Sequence, residues 1–173
     1  LNEGSGFYSI QSTVGEDGYL YLSMPNSDNV SDSTFVQISA AGEINDLRSI
    51  LPQGAYVTKV KSGPDQTIWL GTNQGILSLD PDLTIDATYQ VNVEEVISSV
   101  EDIFITPDGE LLATDFSSSF YSITDSTWEI ISIPSALSHN SIFQSITATS
   151  DGAIWLGEWW KTGRIVKYWN GQW

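Results

Sequence analysis

One short phrase occurs twice in almost the same words, as Asp65-Gln66-Thr67-Ile68-Trp69-Leu70-Gly71 and as Asp151-Gly152-Ala153-Ile154-Trp155-Leu156-Gly157. Aligning the chain on it brings out two more worn copies, Asp17-Gly18-Tyr19-Leu20-Tyr21-Leu22-Ser23 and Asp108-Gly109-Glu110-Leu111-Leu112-Ala113-Thr114. Their first residues stand 48, 43 and 43 positions apart. Near-equal spacing of this kind is the mark of a repeat architecture, in which each unit buries its faces only against its neighbours.

The flanks repeat as well. Upstream of the phrase lie short β-prone runs containing Val57 and Val60, Val100 and Ile103, and Phe143 and Ile146, with Phe7 and Ile10 displaced by two in the first unit. Downstream comes a second alternating run: Phe35–Ile38, Ile76–Leu79, Phe120–Ile123 and Ile165–Tyr168. A fourth run closes the unit, as in Trp128–Ile133 before Pro134. Such runs, punctuated by Asp-Gly or Pro-Asp, predict antiparallel strands joined by tight turns. No stretch carries a capped 3.6-residue apolar period, so helix is expected to be marginal. Four strands per unit of about 43 residues predicts an all-β fold, a β-propeller of four blades spanning roughly 7–54, 55–97, 98–137 and 138–173. In that geometry Asp-Gly makes the hairpin between the two inner strands. The Ile/Leu–aromatic–Leu triplet then serves both faces of the second strand, and the small residue at its end (Ser23, Gly71, Thr114, Gly157) lets neighbouring backbones approach closely.

The stretch TIWLGTNQGILSLDPD resembles the two-component regulator propeller repeat, whose pattern runs D-G-x-[IL]-W-[IL]-G-T-x-x-G-L-x-x-[YF]-[DN]; GRIVKYWNGQW is similar to the end of that repeat. The second and fourth copies follow the pattern. The first and third depart from it, with Tyr21 and Leu112 in place of the Trp. The resemblance implies blades, and loosely a secreted or periplasmic sensor class that includes receptors for carbohydrates. It implies no catalytic residue.

Trp128 opens the outer strand of the third blade, and its counterpart in the fourth is Trp173, the last residue. The last blade is therefore expected to lack its outer strand. Because an open ring would expose a sheet edge and two apolar flanks, the four blades read as part of a larger propeller. Association of two chains into one ring is the alternative, as is a closed ring of four.

Composition narrows the partners. With 22 acidic against 6 basic residues and a net charge of −16, the surface repels phosphate backbones and anionic lipid, so neither nucleic acid nor direct membrane contact is expected. Absence of cysteine excludes thiolate sites, and the single histidine, His139, excludes a multi-histidine metal centre or a Cys-His pair. Neighbouring carboxylates, Glu101-Asp102 and Glu94-Glu95, leave a paired-acid carbohydrate hydrolase as the third-ranked reading, with a solvated acidic surface as its plain alternative. Two oxygen-rich stretches, Asp80/Asp82/Asp86 and Asn26/Asp28/Asn29/Asp32, raise calcium, but neither has the spacing of a calcium loop and turn propensity accounts for both. Asn29-Val30-Ser31 matches the glycosylation sequon, which matters only in a secreted eukaryotic chain. No cofactor and no catalytic residue are assigned.

The loops are more informative. The connection from second to third strand varies from Thr72–Gly75 in the second unit to Glu158–Arg164 in the fourth and Met24–Thr34 in the first, while the first hairpin stays short in all four. Variable loops on a rigid frame are where binding sites sit. Trp159 and Trp160 stand where the second unit has Asn73 and Gln74, so they are not part of the packing template. Together with Glu158, Lys161 and Asp115 they form the candidate ligand-binding set, a stacking platform for a sugar or an anchor for a protein. The plain alternative is that the two tryptophans cover a neighbouring blade edge. The leading expectation is a non-enzymatic binding or sensing module, extracellular or periplasmic, with a protein-interaction scaffold as the alternative.

Overall fold

The computed structural model describes residues 10–26, 29, 32–89, 99–115, 119–124, 127–138, 142–158 and 163–173, the side chains of 65, 86–89, 127, 128 and 138 excepted. The four repeats are four antiparallel sheets in chain order. Sheet 1 comprises β1 (Gln11–Val14), β2 (Leu20–Met24), β3 (Thr34–Ile38) and β4 (Ile44–Asp46). Sheet 2 comprises β5 (Val57–Ser62), β6 (Ile68–Thr72), β7 (Gly75–Leu79) and β8 (Ile85–Tyr89). Sheet 3 runs through β9 (Val100–Ile105), β10 (Leu111–Asp115), β11 (Ser119–Thr124) and β12 (Thr127–Ser132). Sheet 4 has three strands, β13 (Phe143–Ala148), β14 (Ile154–Glu158) and β15 (Ile165–Tyr168), followed by a single bridge between Trp169 and Gln172. Among the described residues the named helical elements are one α turn, Ser135–Ser138, and two 3-10 turns, Arg48–Ile50 and Pro64–Gln66.

The repeated Asp-Gly does what its chemistry dictates. Gly18, Gly109 and Gly152 take φ of 80°, 89° and 79° in the hairpin between first and second strands. Gln66 fills the equivalent place with φ 63°, a conformation that disfavours a side chain. The aspartate bonds the turn: Asp17 Oδ1 accepts the Tyr19 amide at 2.9 Å, and Asp151 Oδ1 accepts the Thr149 hydroxyl at 2.5 Å. All four hairpins span five residues (15–19, 63–67, 106–110, 149–153), so their registers coincide.

Alternation then assigns each face. In β6, Ile68 and Leu70 point back to sheet 1, joining Tyr21, Phe35 and Leu47 in one buried cluster with Val57, Val60, Leu77 and Leu79. Trp69 points the other way, toward Val100, Ile103, Leu111, Ala113 and Tyr121 of sheet 3, beside Ile76. The third cluster repeats the plan, with Leu112 and Phe120 of sheet 3 against Phe143, Ile146, Leu156 and Val166 of sheet 4. Each side chain so buried contributes about 1.5–3 kcal/mol before conformational entropy is set against it, so the interfaces between sheets are the core of this protein.

The small residue ending the second strand has the expected purpose at two positions. A Cβ on Gly71 would lie 2.8 Å from Val100 Cγ1 on the next sheet. Ser23, at the same place, donates its hydroxyl to the Val57 carbonyl at 2.7 Å. Sheet 1 departs from the others: Ser12, opposite Leu22, occupies the place held by Val60, Ile103 and Ile146 elsewhere, and Ile10, displaced by two, is 63% exposed. Phe7 lies outside the described residues.

Candidate functional site: the loop-bearing rim

Second strands end and third strands begin at one rim of the sheet array, and at the same rim each outer strand hands over to the next sheet. The residue seven places after the repeated aspartate (Met24, Thr72, Asp115 or Glu158) closes each second strand. Thr72 and Glu158 bond across their own connection, and Asp115 bonds a strand neighbour. Thr72 donates its hydroxyl to the Gly75 carbonyl at 2.8 Å and accepts the Gln74 amide at 3.0 Å, which closes the two-residue turn. Asp115 is buried and accepts the Tyr121 hydroxyl at 2.9 Å. Glu158, its side chain 1% exposed, binds the Arg164 guanidinium Nε at 3.0 Å and the Arg164 amide at 3.2 Å, across the base of the connection. Both carboxylates of the candidate set are thus buried and bonded within the fold, Asp115 to Tyr121 and Glu158 to Arg164. Trp159, Trp160 and Lys161 lie outside the described residues, as do His139 and Glu94-Glu95.

The inner strands β1, β5, β9 and β13 pack side by side and are stitched by polar groups. The Ser62 amide donates to Thr13 Oγ1 at 3.2 Å, and Thr58 Oγ1 donates to the Val100 carbonyl at 2.6 Å. Gln144 Nε2 donates to Glu101 Oε2 at 3.0 Å, and Asp102 Oδ2 accepts the Ile146 amide at 3.1 Å. Lys59 reaches Asp102 at 4.0 Å. Burial pushes the Glu101 carboxyl above the ordinary range; Lys59 opposes that shift, and the nearby charges of Asp115 and Asp102 add to it. The pair Glu101-Asp102 therefore spends its oxygens joining sheet 3 to sheet 4.

In the oxygen-rich stretches the described side chains bond their own neighbours, while Asp86 falls within β8. Asp82 Oδ1 accepts the Thr84 amide at 3.1 Å and the Thr84 hydroxyl at 2.6 Å. Asn26 Oδ1 accepts the Asn29 amide at 3.0 Å, and Asn29 Nδ2 donates to Asp32 Oδ2 at 2.8 Å. Asp28 and the Asp86 side chain lie outside the described residues, and among the described residues no three acidic or histidine side chains converge in a way that could hold a metal ion.

Sequence reasoning passed over the hollow that the rim does contain. About 550 Å³ opens between the start of β3 and the segment leading into sheet 2, lined by Ser33, Asp46, Arg48, Gln53, Tyr56 and Val57 among others. Arg48 bonds Asp46 through Nε at 3.0 Å and Nη2 at 2.6 Å, which holds the guanidinium at the mouth; that contact keeps the Asp46 carboxyl at about 2. The floor is fixed from sheet 2. Asn73 Oδ1 accepts the Tyr56 amide at 2.8 Å, Asn73 Nδ2 donates to the Gly54 carbonyl at 3.2 Å, and Gln74 Nε2 donates to the Gln53 carbonyl at 3.1 Å. The one signal that pointed here was the first repeat period, longer than the others; the extra residues fall between β2 and β3, beside the hollow.

No family model matches the chain, and no curated protein matches it. Solved structures do. A Bacteroides caccae protein of unknown function superposes over 97% of this chain and 62% of its own length, with a TM-score of 0.58 at 13% identity. The extracellular domain of BT4673 from Bacteroides thetaiotaomicron, described as a hybrid two-component system, gives a TM-score of 0.64 at 22% identity, over 87% of this chain and 20% of that one. PorZ of Porphyromonas gingivalis, a surface component of the type-IX secretion system, gives 0.59 at 18% identity, over 87% and 23%. What they share with this chain is the fold. It is a propeller-type fold of antiparallel sheets. The chain spans about three fifths of the first of these proteins and about a fifth of the other two. Among the described residues no helix is long and apolar enough to cross a membrane.

Proposed function

We propose that the four sheets are blades of a propeller larger than four, and that the chain is a non-enzymatic binding or sensing module working outside the cytoplasm, with a glycan as its ligand. The observation that carries this is the rim. Its loops differ in length from sheet to sheet, and it holds a hollow of about 550 Å³ whose polar lining is fixed by hydrogen bonds from the next sheet. A prearranged concave site with a few placed polar groups and an aromatic ring suits a small polar ligand better than a flat protein surface does. Arg48 and Tyr56 in the hollow, with Trp159 and Trp160 on the loop of sheet 4, are the residues assigned to contact it. The extracytoplasmic setting draws support from the fold shared with extracellular sensor domains.

The test is a glycan panel probed with the wild-type chain and with Arg48→Ala, Tyr56→Ala and Trp159→Ala/Trp160→Ala variants, each checked for an unchanged melting curve. Saturable binding that falls at least about tenfold in a rim variant, a loss of roughly 1.4 kcal/mol, supports the reading. Binding that ignores every rim variant, or no binding to any glycan, sinks it. Turnover of a polysaccharide would overturn the non-enzymatic part. A protein-interaction scaffold remains the second reading, favoured by the large apolar side chains left exposed on sheets 1 and 4.

A further inference from the structure

Among the described residues that line the hollow, two carry a charge, Asp46 and Arg48, and they are bound to each other. Arg48 Nε donates to both carboxylate oxygens of Asp46 at 3.0 Å, and Nη2 donates to Oδ2 at 2.6 Å. The Arg48 amide adds a fourth bond, to Oδ1 at 3.0 Å. The guanidinium edge formed by Nε and Nη2 is the kind that grips a carboxylate or phosphate through two parallel bonds. Here a carboxylate of the chain itself already holds that edge. The contact keeps the Asp46 carboxyl at about 2, so the pair is fully charged, and neutral as a pair, at any pH near 7.

Charge further out adds to the effect. Asp32 stands exposed one residue before Ser33, which lines the hollow, and the whole chain carries a net charge of −16. An anionic ligand would therefore lie beside Asp46 in a field of its own sign. A cationic group gains little from Asp46, because four donated bonds meet the roughly four lone-pair sites a carboxylate has.

The rest of the lining is uncharged. Phe35 and Val57 are each 1% exposed and Ala55 8%, with Leu51 and Pro52 half-buried beside them, while Ser49 and Gln53 are exposed and carry neutral donors and acceptors. A sugar ring divides in the same way, into C–H faces that pack on apolar surface and hydroxyls that hydrogen-bond at its edge. A volume of about 550 Å³ lies within the roughly 300–1,000 Å³ usual for drug-sized ligands, the size of a short oligosaccharide.

Resting on the glycan reading above, we propose that the hollow selects an uncharged oligosaccharide over uronate-bearing or sulfated ones, and that Asp46 sets this preference by occupying the fork of Arg48. Removing the carboxylate releases the fork and leaves the lining with one net positive charge.

Titration calorimetry with two sets of oligosaccharides tests this: neutral gluco-, manno-, galacto- and xylo-oligosaccharides, and galacturonate, alginate and heparin fragments. Wild type should bind a neutral member at least about tenfold more tightly than any acidic one, a difference of roughly 1.4 kcal/mol. Its affinity should change less than about twofold between about 0.01 and 0.15 M salt, over which the screening length falls from about 30 to 8 Å. Asp46→Asn keeps an oxygen acceptor for the Arg48 amide, should leave the melting curve unchanged, and should gain salt-sensitive binding of an acidic fragment. Tighter wild-type binding of an acidic fragment, abolished by Arg48→Ala, would overturn the neutral preference while leaving the glycan reading intact. An Asp46→Asn variant that gains no acidic ligand would overturn the role of Asp46. Neutral binding that ignores both Arg48→Ala and Tyr56→Ala would place the sugar outside the hollow and overturn the proposal. No binding to either set would remove the glycan reading itself, and this inference with it.

Discussion

Gly71→Ala should destabilise the chain through one contact. The new Cβ would sit 2.8 Å from Val100 Cγ1, 3.1 Å from Val100 Cβ and 3.2 Å from Ile103 Cδ1, and both neighbours are fully buried. Carbon atoms rest about 3.5–4.0 Å apart, so the overlap is several tenths of an ångström. Turning Val100 about its χ1 moves Cγ1 but not Cβ, and a β-branched side chain has little rotamer freedom to give. Sheets 2 and 3 must separate slightly, an overpacking cost of about 1–3 kcal/mol. Gly71 is not among the glycines with positive φ, so alanine also lowers the unfolded-state entropy, a gain of about 0.4–1 kcal/mol. The net loss is about 1–2 kcal/mol. With a urea m-value of about 2 kcal/mol/M the midpoint falls by roughly 0.5–1 M. Adding Val100→Ala removes the obstructing methyls, so the double variant should be more stable than additivity predicts by about 1–2 kcal/mol. Gly109→Ala is the control: nothing lies within 4 Å of its Cβ, and its φ of 89° alone sets the penalty, so it should show no coupling to Val100. A neutral Gly71→Ala, or strict additivity with Val100→Ala, would refute the view that close backbone approach between sheets fixes this residue.

Tyr21→Phe removes a hydroxyl that donates to Asp17 at 2.7 Å and accepts from Gln37 at 2.9 Å; a loss of about 1–2 kcal/mol in urea unfolding is expected. Burial first, and then the Asp17 hydrogen bond, push the Tyr21 phenol far above its usual range, so the alkaline difference spectrum should lose no folded-state amplitude when Tyr21 is replaced by Phe. Because the folded-state pKa of Glu101 is raised, its ionised form opposes folding above that pKa, and the penalty disappears as pH falls toward the unfolded value. Glu101→Gln should therefore stabilise the chain at pH 7 and be neutral near about pH 4, as measured by denaturation at both. Arg48→Ala should return the Asp46 carboxyl from about 2 toward the ordinary value near about 3.9, followed by carbon NMR through an acid titration.

What was legible in the chain was what every unit must solve alike. Ile68 and Leu70 facing one way and Trp69 the other follow from alternation alone, and a left-handed Gly18 or Gly152 follows from the turn. The sheets could therefore be placed before any coordinate. Sheet 1 shows the limit: Ile10 stands two places from the template position, Ser12 takes that position, and Ile10 is exposed. An alternating run reports which residues share a face. It does not report whether anything covers that face.

The rim was less legible for a related reason. Its residues answer to one neighbour each, not to the repeat. Arg48 and Tyr56 line the hollow because Asn73 and Gln74, two turn residues from the next sheet, hold the intervening segment against β3. No periodicity announces such a contact. Asp115 and Glu158 stood out as acids at loop bases, and the same position carries Thr72 in sheet 2, where a hydroxyl closes the turn. Comparing that position across all four sheets would have read the two acids as structural groups, since Thr72, Asp115 and Glu158 all bond within their own sheet. The same comparison across the residues paired with the small position, Phe35, Ile76, Phe120 and Ile165, isolates the member left exposed. In a repeat protein the environment in which one unit departs from its siblings carries more information than the residue by which it departs from their sequence.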